Sequence, residues 1–386
     1  FSQNNLIPNT EDCSSTRPKF DFTIDTAWVS KTGKKVDSRL TPLVGDFDGD
    51  GNVEIFAASG LAGGSNGHIY VFDGKTGREK GYITCPGLVT SKHIFSANMA
   101  IFKRNASAKG SVFISGYDGY AYLYEVTHID KDTIIFAELW SRNINLTGNM
   151  RNSPVVADLD GNGTVEIVVA GYILNSNTGN TLASLQYKGE GKTIEVSFPL
   201  VAELDNDGLP EIVVGTHVYK YRNNILSLWK VMPGYTSSSG LDGVNIAADI
   251  NQDGKVDLVF TSYISNDCVV TVWTPETGAK IGDFSFVFGN AHSYPFVGDI
   301  DGISIGGKKY PEIVINTAGN LRAYTFNGTS FVLKWNMGHS DSSGATSLTL
   351  FDFNNDNIVE LVYRDETHLH IFDGRGSAPV LTTPSI

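Results

Sequence analysis

Residues 43–59 read LVGDFDGDGNVEIFAAS. Inside this stretch, Asp46-Phe47-Asp48-Gly49-Asp50-Gly51-Asn52-Val53-Glu54 puts oxygen-bearing side chains at positions 1, 3, 5 and 9 of a loop, with glycine at position 6. Short apolar runs flank the loop, so the segment reads as strand, acidic turn, strand. The same order returns as VVADLDGNGTVEIVVAG from Val155, LVAELDNDGLPEIVVGT from Leu200 and IAADINQDGKVDLVFTS from Ile246. It appears again as FVGDIDG and PEIVINT from Phe296, and as TLFDFNNDNIVELVYRD from Thr349. Internal repetition of this kind decides the architecture before any single element does.

The leading acidic residues are Asp46, Asp158, Glu203, Asp249, Asp299 and Asp352, separated by 112, 45, 46, 50 and 53 residues. The first interval is twice the others, so a unit is hidden in it. Asn98–Gly116 (NMAIFKRNASAKGSVFISG) keeps both strands, but its turn Arg104–Gly110 has lost every carboxylate. Seven units result, each with room for four strands. In the first these are Thr41–Phe47, Glu54–Ser59, His68–Asp73 and Arg78–Thr84, the last pair joined by Gly74-Lys75-Thr76-Gly77. A four-stranded antiparallel unit of this size cannot bury both faces alone, whereas radial packing of such units does bury them. The expected fold is all-β: a seven-bladed β-propeller of four-stranded antiparallel blades over residues 24–376. Residues 1–23 are then an N-terminal extension and residues 377–386 a C-terminal tail or linker.

Tryptophan marks several fourth strands, in FAELWSRN from Phe136, LSLWKV from Leu226 and VLKWNM from Val332. IDTAWVS at Ile24–Ser30 carries the same mark ahead of the first unit, while the last unit shows no fourth strand after His368–Phe372. The expectation is that the N-terminal strand closes the ring beside His368–Phe372, with Trp28 placed as Trp140, Trp229 and Trp335 are. Such closure would remove two exposed strand edges.

The acidic loops have the composition of calcium sites. Calcium takes six to eight hard oxygen ligands, and alternate residues of a tight loop can all point inward. The candidate ligands are Asp46, Asp48, Asp50 and Glu54; Asp158, Asp160, Asn162 and Glu166; Glu203, Asp205, Asp207 and Glu211; Asp249, Asn251, Asp253 and Asp257. Asp352, Asn354, Asp356 and Glu360 form a further set, with Asn357 where glycine is usual. In the sixth unit Asp299 and Asp301 are followed by an insertion, Gly302–Tyr310, before Glu312. Position 7 would add a backbone carbonyl from Asn52, Thr164, Leu209, Lys255 or Ile358. These six loops hold 20 of the 42 acidic residues, and six divalent ions would take the net charge from −13 to −1. Without metal, three or four clustered carboxylates repel one another. Asp, Asn and Gly also build turns that hold no ion, which is the competing reading.

The loops resemble FG-GAP repeats, the blades of the integrin α-subunit propeller and of many bacterial secreted proteins, over about residues 25–376 and most specifically at D-x-D-x-D-G-x-x-E. The resemblance implies calcium in the loops and a seven-bladed propeller. It leaves the activity open, because the family includes adhesion receptors, lectins with integrin-like folds and propellers of polysaccharide lyases.

The remaining sequence narrows function mainly by exclusion. A net charge of −13 argues against a nucleic-acid partner. No apolar run approaches the ~20 residues of a membrane helix. A chain opening on Phe1 is expected to be a processed product whose leader could have held a secretory signal. Three cysteines, Cys13, Cys85 and Cys268, make no disulfide framework, although Cys13 and Cys85 could pair. Gly63-Gly64-Ser65-Asn66-Gly67 matches G-x-S-x-G, but it reads as a glycine-rich hairpin loop and not as the strand-to-helix elbow of a nucleophile. Six residues beyond position 9, at the expected end of the second strand, stand Gly60, Tyr117, Tyr172, His217, Tyr263, Ala318 and Glu366. Tyr117, Tyr172, His217 and Tyr263 would line an arc on the face opposite the acidic loops, suited to a sugar or peptide; packing between blades is the alternative. The resulting expectation is an extracellular or cell-surface, calcium-binding, monomeric module for a glycan or protein ligand. A structural module of a larger surface protein and a lyase-like polysaccharide-active enzyme are the alternatives.

Overall fold

A computed structural model of the chain describes residues 23, 25–30, 36, 41–59, 67–85, 99–116, 118–144, 151–185, 196–234, 243–264, 267–287, 294–317, 319–341, 348–356, 358–376 and 379–383. These residues form seven four-stranded antiparallel sheets in which strands A, B, C and D follow chain order. The A strands are Leu43–Gly45, Met99–Lys103, Val155–Ala157, Leu200–Ala202, Asn245–Ala248, Pro295–Gly298 and Leu348–Phe351. Their B partners are Glu54–Ala58, Gly110–Ser115, Glu166–Val169, Glu211–Val214, Asp257–Ile264, Glu312–Thr317 and Glu360–Arg364. A two-residue parallel pair, Arg151–Asn152 with Val196–Ser197, stands outside the seven. The carboxylate-free second unit is present as expected, with Lys103 opposite Gly110 as Gly45 is opposite Glu54.

The B strands are β-branched and apolar, which suits a pleated strand buried on both faces. Val112, Val168, Val213, Val259 and Val314 are all 0% exposed. Two compact units result: Thr26–Ala247 with Trp273–Lys280, and Ala248–Val272 with Ile281–Ile386. Within the first, Phe56, Val71 and Ile83 of the first sheet pack with Val112, Tyr124 and Ile134 of the second. The second and third sheets share a core around Phe113, Leu123, Ile167 and Leu174, and the third and fourth around Val168, Ile212 and Tyr219. Within the other unit, the sixth and seventh sheets meet around Val314, Leu321, Leu361 and Tyr363. Each of these sheets is thus buried by its neighbour in sequence.

A tryptophan fastens successive sheets. The Trp140 indole N–H, on strand D of the second sheet, donates to the Ser176 carbonyl in the C–D turn of the third at 2.8 Å. Trp335 of the sixth sheet donates to the Gly374 carbonyl in the C–D turn of the seventh at 2.9 Å. Each indole lies against a turn glycine with left-handed φ, Gly179 (φ 71°) or Gly376 (φ 84°), where a Cβ would come within 2.6 Å or 2.3 Å of the ring. Trp28 makes the same contact with the first sheet, donating to the Gly74 carbonyl at 2.8 Å and lying over Gly77.

The expected ring closure is not what the structure shows. Residues 25–30 form no strand. The strand beside Leu369–Asp373 is Pro379–Thr382, with Ile371 opposite Leu381. Residues read as a tail therefore complete the seventh sheet; proline is tolerated there because Pro379 is the first residue of an edge strand. Trp28 keeps the tryptophan's turn contact without the strand pairing. Trp229 also departs from expectation: it is one residue out of step, unpaired at a bulge between Leu228 and Lys230, with the Lys220 ammonium 4.7 Å from its ring. Cys85 and Cys268 are buried thiols; Cys13 and residues 63–66 of the G-x-S-x-G stretch lie outside the described residues, and Gly67 opens strand C of the first sheet.

Two glycines test the tryptophan contact. Gly179→Ala adds a collision with Trp140 and Arg142 to the left-handed strain, whereas Gly163→Ala, with φ 84° and nothing within 4 Å, adds the strain alone. Urea denaturation should show Gly163→Ala costing about 1–2 kcal/mol and Gly179→Ala clearly more.

Candidate metal centres

The acidic loops are built by hydrogen bonds from their backbone N–H groups to their own side chains. In the third sheet the Asp158 carboxylate accepts the N–H groups of Asn162 (3.1 Å) and Gly163 (2.8 Å), and the Asn162 side chain accepts that of Thr164 at 2.7 Å. Glu166 closes the loop from behind, its Oε2 accepting the Leu159 N–H at 2.9 Å. The position-9 carboxylate repeats this contact throughout: Glu54 with Phe47, Glu211 with Leu204, Asp257 with Ile250, Glu312 with Ile300 and Glu360 with Phe353. Position 4 adopts positive φ whatever its residue, as at Gly49, Gly161, Asn206, Gln252 and Asn355. Position 6 does so at Gly51, Gly163, Gly208 and Gly254; Asn357 lies outside the described residues.

This frame brings many of the expected ligands together, although Glu54 is not in the group formed by Asp46, Asp48 and Asp50. Ligand oxygens of Asp46, Asp48 and Asp50 lie within 4.8 Å of one another, as do those of Asp158, Asp160 and Glu166, and those of Glu203, Asp205, Asp207 and Glu211. Asp299, Asp301 and Glu312 also meet within 4.8 Å, because the insertion between them makes its own small turn at Ile305 and Lys308 and lets Glu312 return. In the fifth loop the Asp249 carboxylate takes the N–H groups of Asp253 and Gly254, and Asn251 and Asp253 point their oxygens along the same turn. In the seventh, Asp352 and Asn354 both accept the Asp356 N–H. An all-oxygen donor set on a glycine-hinged loop fits a hard divalent cation. Asn52, Thr164, Leu209, Lys255 and Ile358 hold position 7, where only the backbone carbonyl would serve.

The position-9 carboxylates are almost wholly buried: Glu54 and Glu211 are 0% exposed and Glu166 2%. Burial pushes Glu166, Glu211 and Glu312 up to about 7, with neighbouring aspartates adding to the effect. Burial also raises Glu360. The Arg104–Gly110 turn of the second sheet carries no acidic cluster, and Arg104 pairs with Glu125 of the same sheet.

The proposed aromatic arc is less coherent. Tyr172 and His217 begin strand C and do not end strand B, because the intervening turns are only two residues long. Tyr172 leans on the core shared by the second and third sheets, so it packs as the alternative reading expected. His217 stacks on Tyr219, and burial lowers its pKa. Tyr263 falls within strand B of the fifth sheet, and Tyr117 lies outside the described residues.

A second polar cluster escaped the sequence reading. At the B–C end of the sixth and seventh sheets, Tyr363 donates to the buried Asp341 carboxylate at 2.7 Å and lies 4.8 Å from the His339 ring. Asn316 donates to both Asp341 and Tyr363 at 3.3 Å. Asp365 meets His370 Nε2 at 3.0 Å and, with His368, forms a group of three potential ligands. Although burial opposes it, hydrogen bonds from Ser340, Thr367 and His370 hold Asp365 well below the usual carboxylate range. Asp365-x-x-His368-x-His370 is the one local signal that could have flagged this cluster; Asn316, His339 and Asp341 join it only through folding.

No protein-family model matches the chain, and no curated protein does. Among solved structures it is similar to the V. cholerae biofilm matrix protein Bap1, at 16% identity and TM-score 0.41, covering 90% of this chain and 70% of that one. It is similar to the exotype rhamnogalacturonan lyase YesX, at 16% identity and TM-score 0.40, covering 88% of this chain and 56% of the lyase. BBS1N, crystallised in complex with ARL6DN, gives 13% identity and TM-score 0.47 over 89% of this chain and 95% of that one.

The raised glutamates give a pH signature. An acid whose folded pKa lies above its unfolded value binds more protons when folded, so stability falls as pH rises through that window. In excess chelator the melting temperature should rise between pH 8 and pH 6.5 as Glu166, Glu211 and Glu312 protonate towards their value of about 7. Saturating calcium, which needs the Glu166 carboxylate ionised, should flatten the part of that slope that Glu166 contributes. Melting curves at both conditions check the sign.

Proposed function

We propose that the seven sheets are the blades of one calcium-carrying β-propeller of the FG-GAP type, acting outside the cell as a recognition module for a glycan or a protein. The observation that carries this reading is the third loop, where Asp158, Asp160 and a buried Glu166 converge on a glycine-hinged turn. Its donor atoms are all oxygen, and its carboxylates take hydrogen bonds from backbone N–H groups. Repetition supports the propeller: each sheet has the order A-B-C-D, and tryptophans fasten one sheet to the C–D turn of the next. Calcium bound by the folded chain alone would stabilise it by ~2.7 kcal/mol per site at a hundredfold excess over the dissociation constant.

A lyase-like polysaccharide-active enzyme is the second reading, and the cluster of Asn316, His339, Asp341 and Tyr363 favours it. A phenol, an imidazole and a carboxylate within hydrogen-bond reach are the groups that proton transfer requires.

Calorimetric titration with calcium should show binding, and chelation should lower the melting temperature by several degrees. An unchanged melting curve in excess chelator sinks the calcium reading. A glycan array should show retention on a restricted set of sugars without turnover. Release of unsaturated products from acidic polysaccharide, abolished in Tyr363→Phe, would transfer the assignment to the enzyme.

A further inference from the structure

The acidic loops are not equivalent, because in at least three of them a basic side chain already lies among the carboxylates. In the first sheet the Lys80 ammonium pairs with Asp48 and, at 3.1 Å, with Glu54; the lysine side chain is 0% exposed and its partners 5% and 1%. In the fourth, Lys220 pairs with Asp205 and, at 2.9 Å, with Asp207, while Arg222 reaches Glu211 at 2.6 Å. In the sixth, Lys334 pairs with Asp301 and, at 3.2 Å, with Glu312. Lysine is almost never fully buried unless its charge is matched, so Lys80 is placed by the loop it enters.

Their origin is a repeated irregularity of strand D. A β-bulge leaves one residue of that strand unpaired and re-aims its side chain. In the first sheet the bulge falls between Phe72↔Glu79 and Val71↔Gly81, and its extra residue is Lys80. In the sixth it falls between Tyr324↔Leu333 and Ala323↔Trp335, and the extra residue is Lys334. The third sheet has the same bulge between Leu174↔Thr181 and Ile173↔Ala183, but its extra residue is Leu182, 36% exposed. The register is shared on the other side too: Phe72, Leu174 and Tyr324 each face the residue after the position-9 glutamate, namely Ile55, Ile167 and Ile313. In the fourth sheet Trp229 takes the bulge, and the ammonium comes instead from Lys220 on strand C, held over that indole.

We infer that Lys80, Lys334 and the Lys220–Arg222 pair are built-in cations that occupy the first, sixth and fourth loops in place of a metal ion, and that the third loop is of the kind left for calcium. The inference rests on the calcium reading above and deepens it: the D-x-D-x-D-G pattern alone does not say which loops bind, and the residue at the strand-D bulge does. A lysine there supplies one positive charge permanently and independently of calcium concentration, so the loops it fills are rigid framework. In these loops a divalent ion would meet carboxylates that are already paired, and the resident positive charge would repel it.

The test counts bound calcium per chain by equilibrium dialysis and atomic emission, on the full chain, with folding checked by circular dichroism. Lys80→Met and Lys334→Met should each gain about one ion over the wild type. Leu182→Lys should lose one; this exposed position tolerates the change even if a buried-lysine variant does not fold. Glu166→Gln, which removes a ligand without touching a lysine, should also lose one. Calcium binding by the wild type and its loss in Glu166→Gln, with counts unchanged in both methionine variants or in Leu182→Lys, would overturn this inference alone. No calcium bound by any form would overturn the calcium reading with it.

Discussion

The structure depends on one hydrogen bond repeated in six sheets: a buried carboxylate at the start of strand B accepting the N–H of the second loop residue. Glu166 with Leu159 at 2.9 Å and Glu211 with Leu204 at 2.8 Å are typical. The bond satisfies a backbone donor that would otherwise be buried without a partner, and it sets the path of the chain between strands A and B. It also draws a carboxylate into the interior, beside two or three others, and a buried charge is costly unless something compensates it. Each such turn therefore needs its charge compensated, by a cation or by the proton that burial favours on Glu166, Glu211 and Glu312.

That requirement explains features that otherwise look unrelated. Lys80 is among the most deeply buried residues of the chain although lysine is ordinarily a surface residue, and Lys220 and Arg222 converge on a single loop. In the second sheet the loop has no carboxylate, and there the basic residue stands in the loop itself: Arg104 occupies the place of Asp46 and turns to Glu125 on strand C. The opposite ends of the sheets are under no such constraint. In the sixth and seventh sheets these ends gather Asn316, Asp341 and Tyr363 into a buried polar cluster joined by hydrogen bonds.

Repetition made the fold legible. The hidden second sheet was found by interval alone, because spacing survives the loss of the carboxylates. Closure was not legible. IDTAWVS looked like a fourth strand because it carries the tryptophan of one, and PVLTT did not, being short and headed by proline. The tryptophan's contact and the strand's pairing are separable: Trp28 reaches its turn from an irregular segment, while Pro379–Thr382 needs no tryptophan to pair with Leu369–Asp373. Tyr172 and His217 fall at the start of strand C and not at the end of strand B for a related reason. Counting a fixed number of residues past position 9 assumes equal B strands, and these vary from four residues in Glu166–Val169 to eight in Asp257–Ile264.

By itself the sequence determined the all-β class, the number and order of the sheets and the residues of each acidic loop, because strand alternation and turn chemistry are local and recur at a nearly constant interval. Only the tertiary structure decided which basic residue enters which loop. Lys80 lies 26 residues beyond Glu54, and Lys334 lies 22 beyond Glu312. Whether either reaches its carboxylates depends on a bulge in strand D, where the lysine is itself the unpaired residue and its side chain is re-aimed. No pattern in the loop itself records that choice, because the charge that completes the loop comes from a different strand.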